Sequence, residues 1–340
     1  MHNKDRFTSK TVTRKVQKKM SKATEQIKLA SYLPQAKRRG FFGKLIKQQQ
    51  LLIMSVPFVL IALVFSYGPL WGWIMAFQDY KIGKGVLGSS FVGFDNFVKI
   101  FQDEQFYFVM RNTLAMSFMG LIASFVGSIV LALLLNEVRK TFFKRAIQTI
   151  TYIPHFVSWV VIANVVTFFL SPDGGLLNVI MMKLKLINEP IYFMIKGEWF
   201  WIIHTLASLW KELGWSTIIY LAVLMGLNPE HYEAAEMDGA SRFRKMWHIS
   251  IPGLMPTAIL LLTMSIGWAI NSGFESQFVL GNPAVIEYSD VIDLYALRYS
   301  TQLSDYSYGM AINMFKSVIS VLMVLSVTYL AKKTQQSRLF

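Results

Sequence analysis

The chain has 340 residues, of which 54% are hydrophobic and 16% are charged. Because a soluble domain typically carries about 25% charged residues, this composition is that of a membrane protein. The sequence contains no cysteine, which excludes disulfides, and its five histidines show no metal-ligand spacing, so we predict no metal site. The net charge of +14 would also suit a protein that binds nucleic acid. The distribution of this charge along the chain distinguishes a nucleic-acid-binding protein from a membrane protein.

The positive charge is concentrated at the N-terminus. Residues 1 to 50 contain fourteen Lys and Arg against only Asp5 and Glu25. A basic segment ahead of the first apolar segment predicts a cytoplasmic tail, and such a tail can contact the anionic headgroups of the lipid bilayer. No aromatic residues alternate with these charges and no recognisable binding module is present, so we predict no nucleic acid partner.

Six apolar segments follow, each long enough to cross the hydrocarbon core of a bilayer, which is about 30 Å thick. They cover residues 51–77, 111–135, 147–170, 199–227, 257–274 and 309–331. With the N-terminus inside, the cytoplasmic segments would hold 24 Lys and Arg and the outer segments 7, in agreement with the positive-inside rule. The sequence therefore predicts an all-α, polytopic membrane helix bundle of six transmembrane helices with both termini in the cytoplasm.

This topology divides the chain into four parts. Residues 1–50 form a basic cytoplasmic tail, and residues 51–110 form the first transmembrane helix with an outer segment. Residues 111–331 form the transmembrane core, which contains a polar loop at residues 228–254. Residues 332–340 form a short cytoplasmic tail.

One glycine-rich stretch matches a nucleotide-binding motif in spacing alone. Gly83, Gly85 and Gly88 have the spacing GxGxxG, but they follow a membrane span and not the strand of a βαβ unit. Residues 40–44 lack the spacing and the Ser or Thr of a phosphate loop. We therefore predict that the chain binds no ATP or other cofactor and is not itself an enzyme.

The fourth span is interrupted by Lys211 and Glu212. Adjacent charges inside an apolar segment are costly unless they face a bundle interior, a water-filled cavity or the interface. Two interpretations follow: either this pair borders a substrate cavity, or the true span starts near Leu213 and the pair is solvated.

The polar loop at residues 228–254 is the part of the core that the span pattern does not explain. Its first half predicts a short helix around Glu233, and Gly239 then permits a turn with positive φ. A second short helix is predicted from Ser241 to His248, ending near Pro252. Two small helices joined by a glycine would form a compact cytoplasmic projection.

The loop also carries a recognisable motif. Glu233-Ala234-Ala235 is followed after three residues by Gly239, and after nine more by Ile249, with Pro252 three positions later. This pattern resembles the EAA signature of the membrane subunits of ABC importers, the permeases of binding-protein-dependent transport systems. The resemblance covers about residues 111–331.

Four further stretches narrow the resemblance to the LplB-like branch of carbohydrate and polysaccharide permeases, which is similar to the maltose and alginate transporter subunits. These stretches are residues 71–73 (WGW), 77–80 (FQDY), 152–159 (YIPHFVSW) and 174–178 (GGLLN). The resemblance implies the type I ABC importer fold, a location in a bacterial cell membrane, and a carbohydrate substrate.

The resemblance also implies partners. These are a second homologous permease subunit, two ATPase subunits that bind ATP and Mg, and an extracytoplasmic solute-binding protein. The loop would be the coupling helix that docks on an ATPase, through residues Glu233, Ala234, Ala235, Asp238, Gly239, Ile249 and Pro252. For Glu233 two roles stay open, a charge-assisted hydrogen bond to the ATPase or the capping of its own helix.

A sugar path needs aromatic faces and polar groups that satisfy hydroxyls. The candidates on the fourth and fifth spans are Glu212, Trp215, Trp268, Asn271, Ser272 and Glu275. The last four have the spacing of residues that share one helix face.

The alternative function is that of an ion-coupled secondary transporter of a polar solute. Such a protein would use its own intramembrane carboxylates and would show inverted repeats, and no internal repeat stands out here. A membrane enzyme would need a catalytic cluster, which the scattered histidines do not provide.

Overall fold

A computed structural model describes residues 49–271 and 274–333. The predicted basic tail lies almost entirely outside the described residues, as do residues 334–340. The chain separates into two compact units, one up to Pro69 and one from Leu70 onward.

The described elements are almost all helical. The helices are α1 (Gln49–Ala62), α2 (Gly85–Gly88), α3 (Asp95–Gln102), α4 (Glu104–Glu137), α5 (Thr141–Tyr152), α6 (Trp159–Leu170), α7 (Leu176–Lys183), α8 (Gly197–Met225), α9 (Pro229–Met237), α10 (Arg242–Lys245), α11 (Ile251–Trp268), α12 (Phe274–Leu280), α13 (Ile286–Ser289), α14 (Ile292–Thr301) and α15 (Tyr306–Lys333). Two antiparallel strands of two residues each, β1 (Gln78–Asp79) and β2 (Ser90–Phe91), are the exception to the predicted all-α composition.

By length and composition, four helical runs within the described ranges can cross a membrane. They are Gln49–Phe77, Glu104–Glu137, Arg242–Trp268 and Tyr306–Tyr329. A fifth is added if the bent pair Thr141–Phe156 and Trp159–Leu170 is one span. Helix α8 has the length of a span with its 29 residues, but Lys211 and Glu212 interrupt its apolar sequence. The number of six spans therefore stays a prediction.

The long helix α4 runs through the second unit. At one end its residues Phe106 and Val109 pack with Tyr295 of α14 and Ile312 of α15. At the other end a second buried cluster joins it to α8 and α11; its members are Ala132, Leu133, Leu135, Tyr220, Leu221, Leu224, Leu254 and Ala258. Helices α4 and α8 approach closely, because a Cβ on Gly127 would lie 3.1 Å from the side chains of Leu209 and Leu213. Small residues at such a contact are what helix packing in membranes favours.

The predicted third span is not one straight helix. Helix α5 continues through a 3₁₀ turn (Ile153–Phe156), and α6 then starts at Trp159 in a new direction, at 108° to the first part. The prediction of a continuous helix over residues 147–170 is therefore wrong. Hydropathy shows how long an apolar segment is, but it does not show where the helix axis bends.

The second short helix of the polar loop does not end near Pro252 as predicted. Helix α10 passes through a π-helical turn (Met246–Ser250) directly into α11. In that turn the amide of Ile251 donates to the carbonyl of Met246, five residues earlier. Pro252, the second residue of α11, therefore lies inside a continuous helical run, directly after the π-helical turn.

Candidate functional site

The polar loop contains a helix with a defined start and a defined end. The side chain of Asn228 caps the start of α9 by accepting a hydrogen bond from the amide of Glu230 at 3.0 Å, and Pro229 occupies the first turn. At the other end Gly239 has φ +73°, and the amide of Ala240 donates to the carbonyl of Ala235 at 2.9 Å. This is a Schellman-type C-terminus, which requires a residue that tolerates positive φ.

Two side-chain contacts hold the loop together. Lys245 of α10 forms an ion pair with Glu236 of α9. The hydrogen bond from Lys245, and then its charge, hold the pKa of the Glu236 carboxyl below its usual range. Behind this pair, Tyr232 and Ser250 share a hydrogen bond of 2.9 Å between their hydroxyl groups. The loop is therefore a structured projection with an ordered outer face.

Most of the predicted coupling residues lie on the surface of this projection. Glu233, Ala234 and Asp238 are exposed, as are Gly239 and Pro252, while Ala235 and Ile249 are half-buried. Glu233 does not cap the helix, since Asn228 does so, and the capping interpretation is wrong. The carboxylate of Glu233 is thus exposed in the middle of α9.

The second feature is a cavity of ≈ 780 Å³ between α4, α6, α8, α11 and α12. Four predicted path residues line it, namely Glu212, Trp215, Trp268 and Glu275. Asn271 lies beyond the end of α11 and its side chain is not described, and Ser272 lies outside the described residues. Trp268 and Glu275 reach the cavity from two different helices, because α11 ends at Trp268. The prediction that Trp268, Asn271, Ser272 and Glu275 share one helix face is therefore wrong for Trp268 and Glu275.

The structure places the two charges of this pair in α8 in different surroundings. Lys211 is buried, and its ammonium donates to the backbone carbonyls of His155 and Val157. Glu212 borders the cavity, and its carboxylate lies at hydrogen-bond distance, 2.7 Å, from the imidazole Nδ1 of His155. The pair is therefore not simply solvated.

Sequence reasoning missed several polar residues of the cavity. On α8 they recur every fourth position and form one stripe that includes Glu212; its members are His204, Ser208, Glu212 and Ser216. Residues four apart lie on one helix face, so this spacing was available as a signal. Trp159 also lines the cavity, with its ring stacked parallel to that of His204 at 6.3 Å between centroids.

The cavity combines aromatic faces with a small number of polar groups, as small-molecule sites do. His204 is buried, and its Nε2 lies 2.8 Å from the hydroxyl of Ser276. The carboxylates of Glu212 and Glu275 are able to accept hydrogen bonds from hydroxyl groups. Over residues 49–271 and 274–333, no group of three or more His, Asp or Glu is arranged to hold a metal ion.

These features match those of known transport proteins. The sequence pattern of the family described as "Binding-protein-dependent transport system inner membrane component" matches residues 124–336. The chain belongs to this family of membrane permeases. The resemblance inferred from the EAA motif is thereby confirmed, and the protein is a transport component of the inner membrane.

Two relatives of the permease in Bacillus subtilis (strain 168) extend over most of its length. Protein LplB is 39% identical over 311 residues, which are 92% of this chain and 97% of that protein. The polygalacturonan/rhamnogalacturonan transport system permease protein YteP is 40% identical over 297 residues, which are 87% of this chain and 92% of that protein.

A solved structure supports the same fold for the permease. It is that of a bacterial ABC transporter involved in the import of the acidic polysaccharide alginate, with a TM-score of 0.79 and 35% identity over 87% of this chain and 99% of that chain. The alginate transporter has also been solved in complex with a periplasmic protein that holds an alginate pentasaccharide. The predicted helix bundle of a type I ABC importer is confirmed by this likeness.

Proposed function

We propose that this permease forms, with a second homologous permease, the translocation path of an ATP-driven importer for oligosaccharides or polysaccharide fragments. The observation that carries the proposal is the cavity lined by Trp159, Trp215 and Trp268 and by two carboxylates, in a member of the permease family. The polygalacturonan/rhamnogalacturonan and alginate systems among its relatives support a carbohydrate substrate.

In this proposal the energy for transport enters through the polar loop at residues 228–254, which we call the coupling loop. The exposed face of α9, centred on Glu233, docks in a cleft of an ATPase subunit, and the two ATPase subunits bind ATP and Mg. When they close on ATP, they draw the two permeases together at their loops and turn the path from inward-facing to outward-facing. An extracytoplasmic binding protein delivers the sugar, as in the complex known for the alginate transporter.

The same proposal fixes the orientation of the chain. Both termini and the coupling loop lie in the cytoplasm, and residues 111–331 form the transport core. This orientation is supported by the excess of Lys and Arg in the segments that it assigns to the inside.

The proposal is tested by sugar-stimulated ATP hydrolysis. Nanodiscs that contain both permeases and the ATPase are mixed with the binding protein and with oligosaccharides of known composition. We expect hydrolysis to rise with at least one oligosaccharide and to stay at the basal rate with amino acids. Stimulation of ATP hydrolysis by amino acids or peptides, with none by any oligosaccharide, would show that the permease does not transport carbohydrates.

A further inference from the structure

The bend in the third span leaves backbone groups without their helical partners. In an uninterrupted helix the carbonyls of His155 and Val157 would accept hydrogen bonds from the amides four residues later. Here the helical bonding of α6 starts with the amide of Ile162, which donates to the carbonyl of Ser158 at 3.1 Å. A buried carbonyl that has lost its helical partner needs another donor, because an unpaired one is costly.

Lys211 supplies the missing donors. Its Nζ lies 2.6 Å from the carbonyl oxygen of His155 and 2.8 Å from that of Val157. An ammonium group has three N–H donors, and Glu212 lies near it with 3.7 Å between Nζ and Oε1. The charge of Lys211, which is 7% exposed, is therefore balanced by two carbonyl dipoles and a neighbouring carboxylate.

The same part of α8 is shaped to receive the bend. A Cβ on Gly214 would lie 2.2 Å from the carbonyl oxygen of Thr151, so only glycine allows this approach of the two backbones. The ring of Trp215 stacks on His155 with 4.5 Å between centroids and 3° between planes. We call Lys211, Glu212, Gly214 and Trp215 the α8 socket.

The socket acts on the cavity through the direction of α6. Trp159 is the first residue of α6, and its ring lines the cavity beside His204. Glu212 and Trp215 of the socket line the same cavity. Any shift of the bend therefore moves the wall against which a solute would lie.

We propose that Lys211 is a positioning residue of the transport path: it holds the bend of the third span against α8 and thereby sets the shape of the cavity. This proposal rests on the proposed transport function. It assigns to a buried lysine a role that requires neither contact with the solute nor contact with an ATPase.

The absence of cysteine from the chain makes a direct test available. Ser208 lines the cavity one turn before Lys211, and Ser208→Cys provides a single thiol there. In nanodiscs that contain the complete transporter, the rate at which a water-soluble maleimide labels this thiol reports the shape of the cavity. Uptake of an oligosaccharide that the wild-type transporter accepts is measured in parallel in vesicles.

Lys211→Met keeps the length of the side chain and removes all its donors. Lys183→Met is the matched control, since it makes the same change on the exposed last turn of α7. For Lys211→Met we expect normal amounts in the membrane, an altered labelling rate, and uptake lowered at least about tenfold, since the loss of even one of its two hydrogen bonds corresponds to that factor. Lys183→Met should match the wild type in all three.

Gly214→Ala tests the socket without changing a charge. It should alter labelling and uptake in the same direction as Lys211→Met, whereas Gly226→Ala near the end of α8, where a Cβ meets nothing closer than 3.4 Å, should not. Wild-type labelling and uptake in both Lys211→Met and Gly214→Ala would overturn the proposal. Absence of both variants from the membrane would also overturn it, because the socket would then be needed for folding. If the wild-type transporter itself took up no oligosaccharide, the proposed transport function would fail instead.

Discussion

The turn at Gly239 ends the first helix of the coupling loop. Gly239 has a φ of +73°, and a Cβ at this position would meet no other atom within 4 Å. A substitution is therefore opposed by the backbone conformation and not by lack of space. A β-branched residue is a strong outlier at such a φ.

We expect Gly239→Val to rearrange the turn and to displace the exposed face of α9. The variant should reach the membrane in normal amounts, because the spans on either side are unchanged, but much less ATPase should co-purify with it. Gly83→Val is the control, since Gly83 also has open space around it and no positive φ. Normal ATPase recovery with Gly239→Val would mean that docking does not depend on this turn.

Glu233→Lys tests the exposed carboxylate on the same surface. We expect it to lower ATPase recovery by reversing a charge at the proposed contact, without unfolding α9, because the start of that helix is capped by Asn228. His231→Lys adds a positive charge to the same exposed helix two residues away and is the control. Equal losses with both variants would show that general charge, and not Glu233, determines docking.

Trp268 is the most exposed tryptophan of the cavity, with 71% of its surface accessible. We assign the contact of a sugar ring with Trp268 the value of an aromatic pair, about 0.5–1.5 kcal/mol, so Trp268→Ala should weaken sugar binding by roughly two- to tenfold. Calorimetry on the purified permease pair measures this. Trp210→Ala, on the part of α8 outside the cavity, should bind like the wild type, and equal effects of the two changes would contradict a sugar contact at Trp268.

At the scale of residues, the sequence predicted those positions that depend on a local pattern. The turn at Gly239 was predictable because glycine tolerates a positive φ. Trp215 and Glu212 were predicted at a cavity because an aromatic and a charged side chain stand together in an otherwise apolar span. The role of Lys211 was not predictable, since its partners are carbonyls that become free only through a bend 54 to 56 residues earlier in the chain. The prediction that Trp268 and Glu275 share one helix face was wrong, because α11 ends at Trp268 and Glu275 belongs to α12.

Among the elements, the start of α4 joins three helices through one carboxylate. Asp103 accepts a hydrogen bond from the amide of Gln105 at 2.9 Å and so caps α4. It also accepts hydrogen bonds from the hydroxyls of Tyr295 and Tyr299 on α14. Tyr295 in turn bonds to Tyr308 of α15 at 3.1 Å between the hydroxyl oxygens. The cluster therefore fixes α14 and α15 to the beginning of α4.

Asp103→Ala removes a helix cap and leaves the tyrosine hydroxyls without their acceptor. From the usual values for a cap and for a hydrogen bond to a charged group, we expect a loss of about 2–4 kcal/mol in the free energy of unfolding. Thermal unfolding in detergent measures the loss, and Asp173→Ala in an exposed turn is the control. Equal melting temperatures for wild type and Asp103→Ala would show that the cluster does not hold these helices together.

The same carboxylate predicts a dependence on pH. Burial alone would raise the pKa of Asp103, but the hydrogen bonds from Tyr295, the Gln105 amide and Tyr299 outweigh it and hold the pKa below its usual value. A carboxyl with a lowered pKa stabilises the fold above its unfolded pKa of about 3.9, and this contribution is lost as the pH falls through the folded pKa. The difference in melting temperature between wild type and Asp103→Ala should therefore be constant from about pH 5 to 7, which is about one unit or more above the unfolded pKa. Below about pH 5 this difference should shrink. A difference that grows on acidification would contradict this assignment.

The positions of the long helices were predicted better than their directions. Apolar length located the long helices α4 and α15, because a lipid-facing segment has to be apolar over its whole length. The bend before Trp159 and the π-helical turn that joins α10 to α11 were missed. Both depend on how backbone groups are satisfied by distant residues or by a shifted bonding pattern, which hydropathy does not record.

For the whole molecule, orientation in the membrane is the first quantity to measure. The excess of positive charge in the assigned inner segments predicts that a reporter enzyme that works only in the cytoplasm is active when it is fused after Phe340. A reporter enzyme that works only outside the cytoplasm should be active when it is fused into the segment between α7 and α8. The opposite pair of results would reverse the chain and place the coupling loop out of reach of any ATPase.

The central claim is that this permease moves a sugar only when a separate ATPase drives it. The direct measurement is uptake of a labelled oligosaccharide into sealed vesicles that contain both permeases, with the binding protein outside and the ATPase and ATP inside. The account predicts accumulation that needs ATP and the ATPase, that is lost with Gly239→Val, and that does not respond to an imposed proton or sodium gradient. Accumulation driven by an ion gradient in vesicles without the ATPase would contradict the account and identify the protein as an ion-coupled secondary transporter.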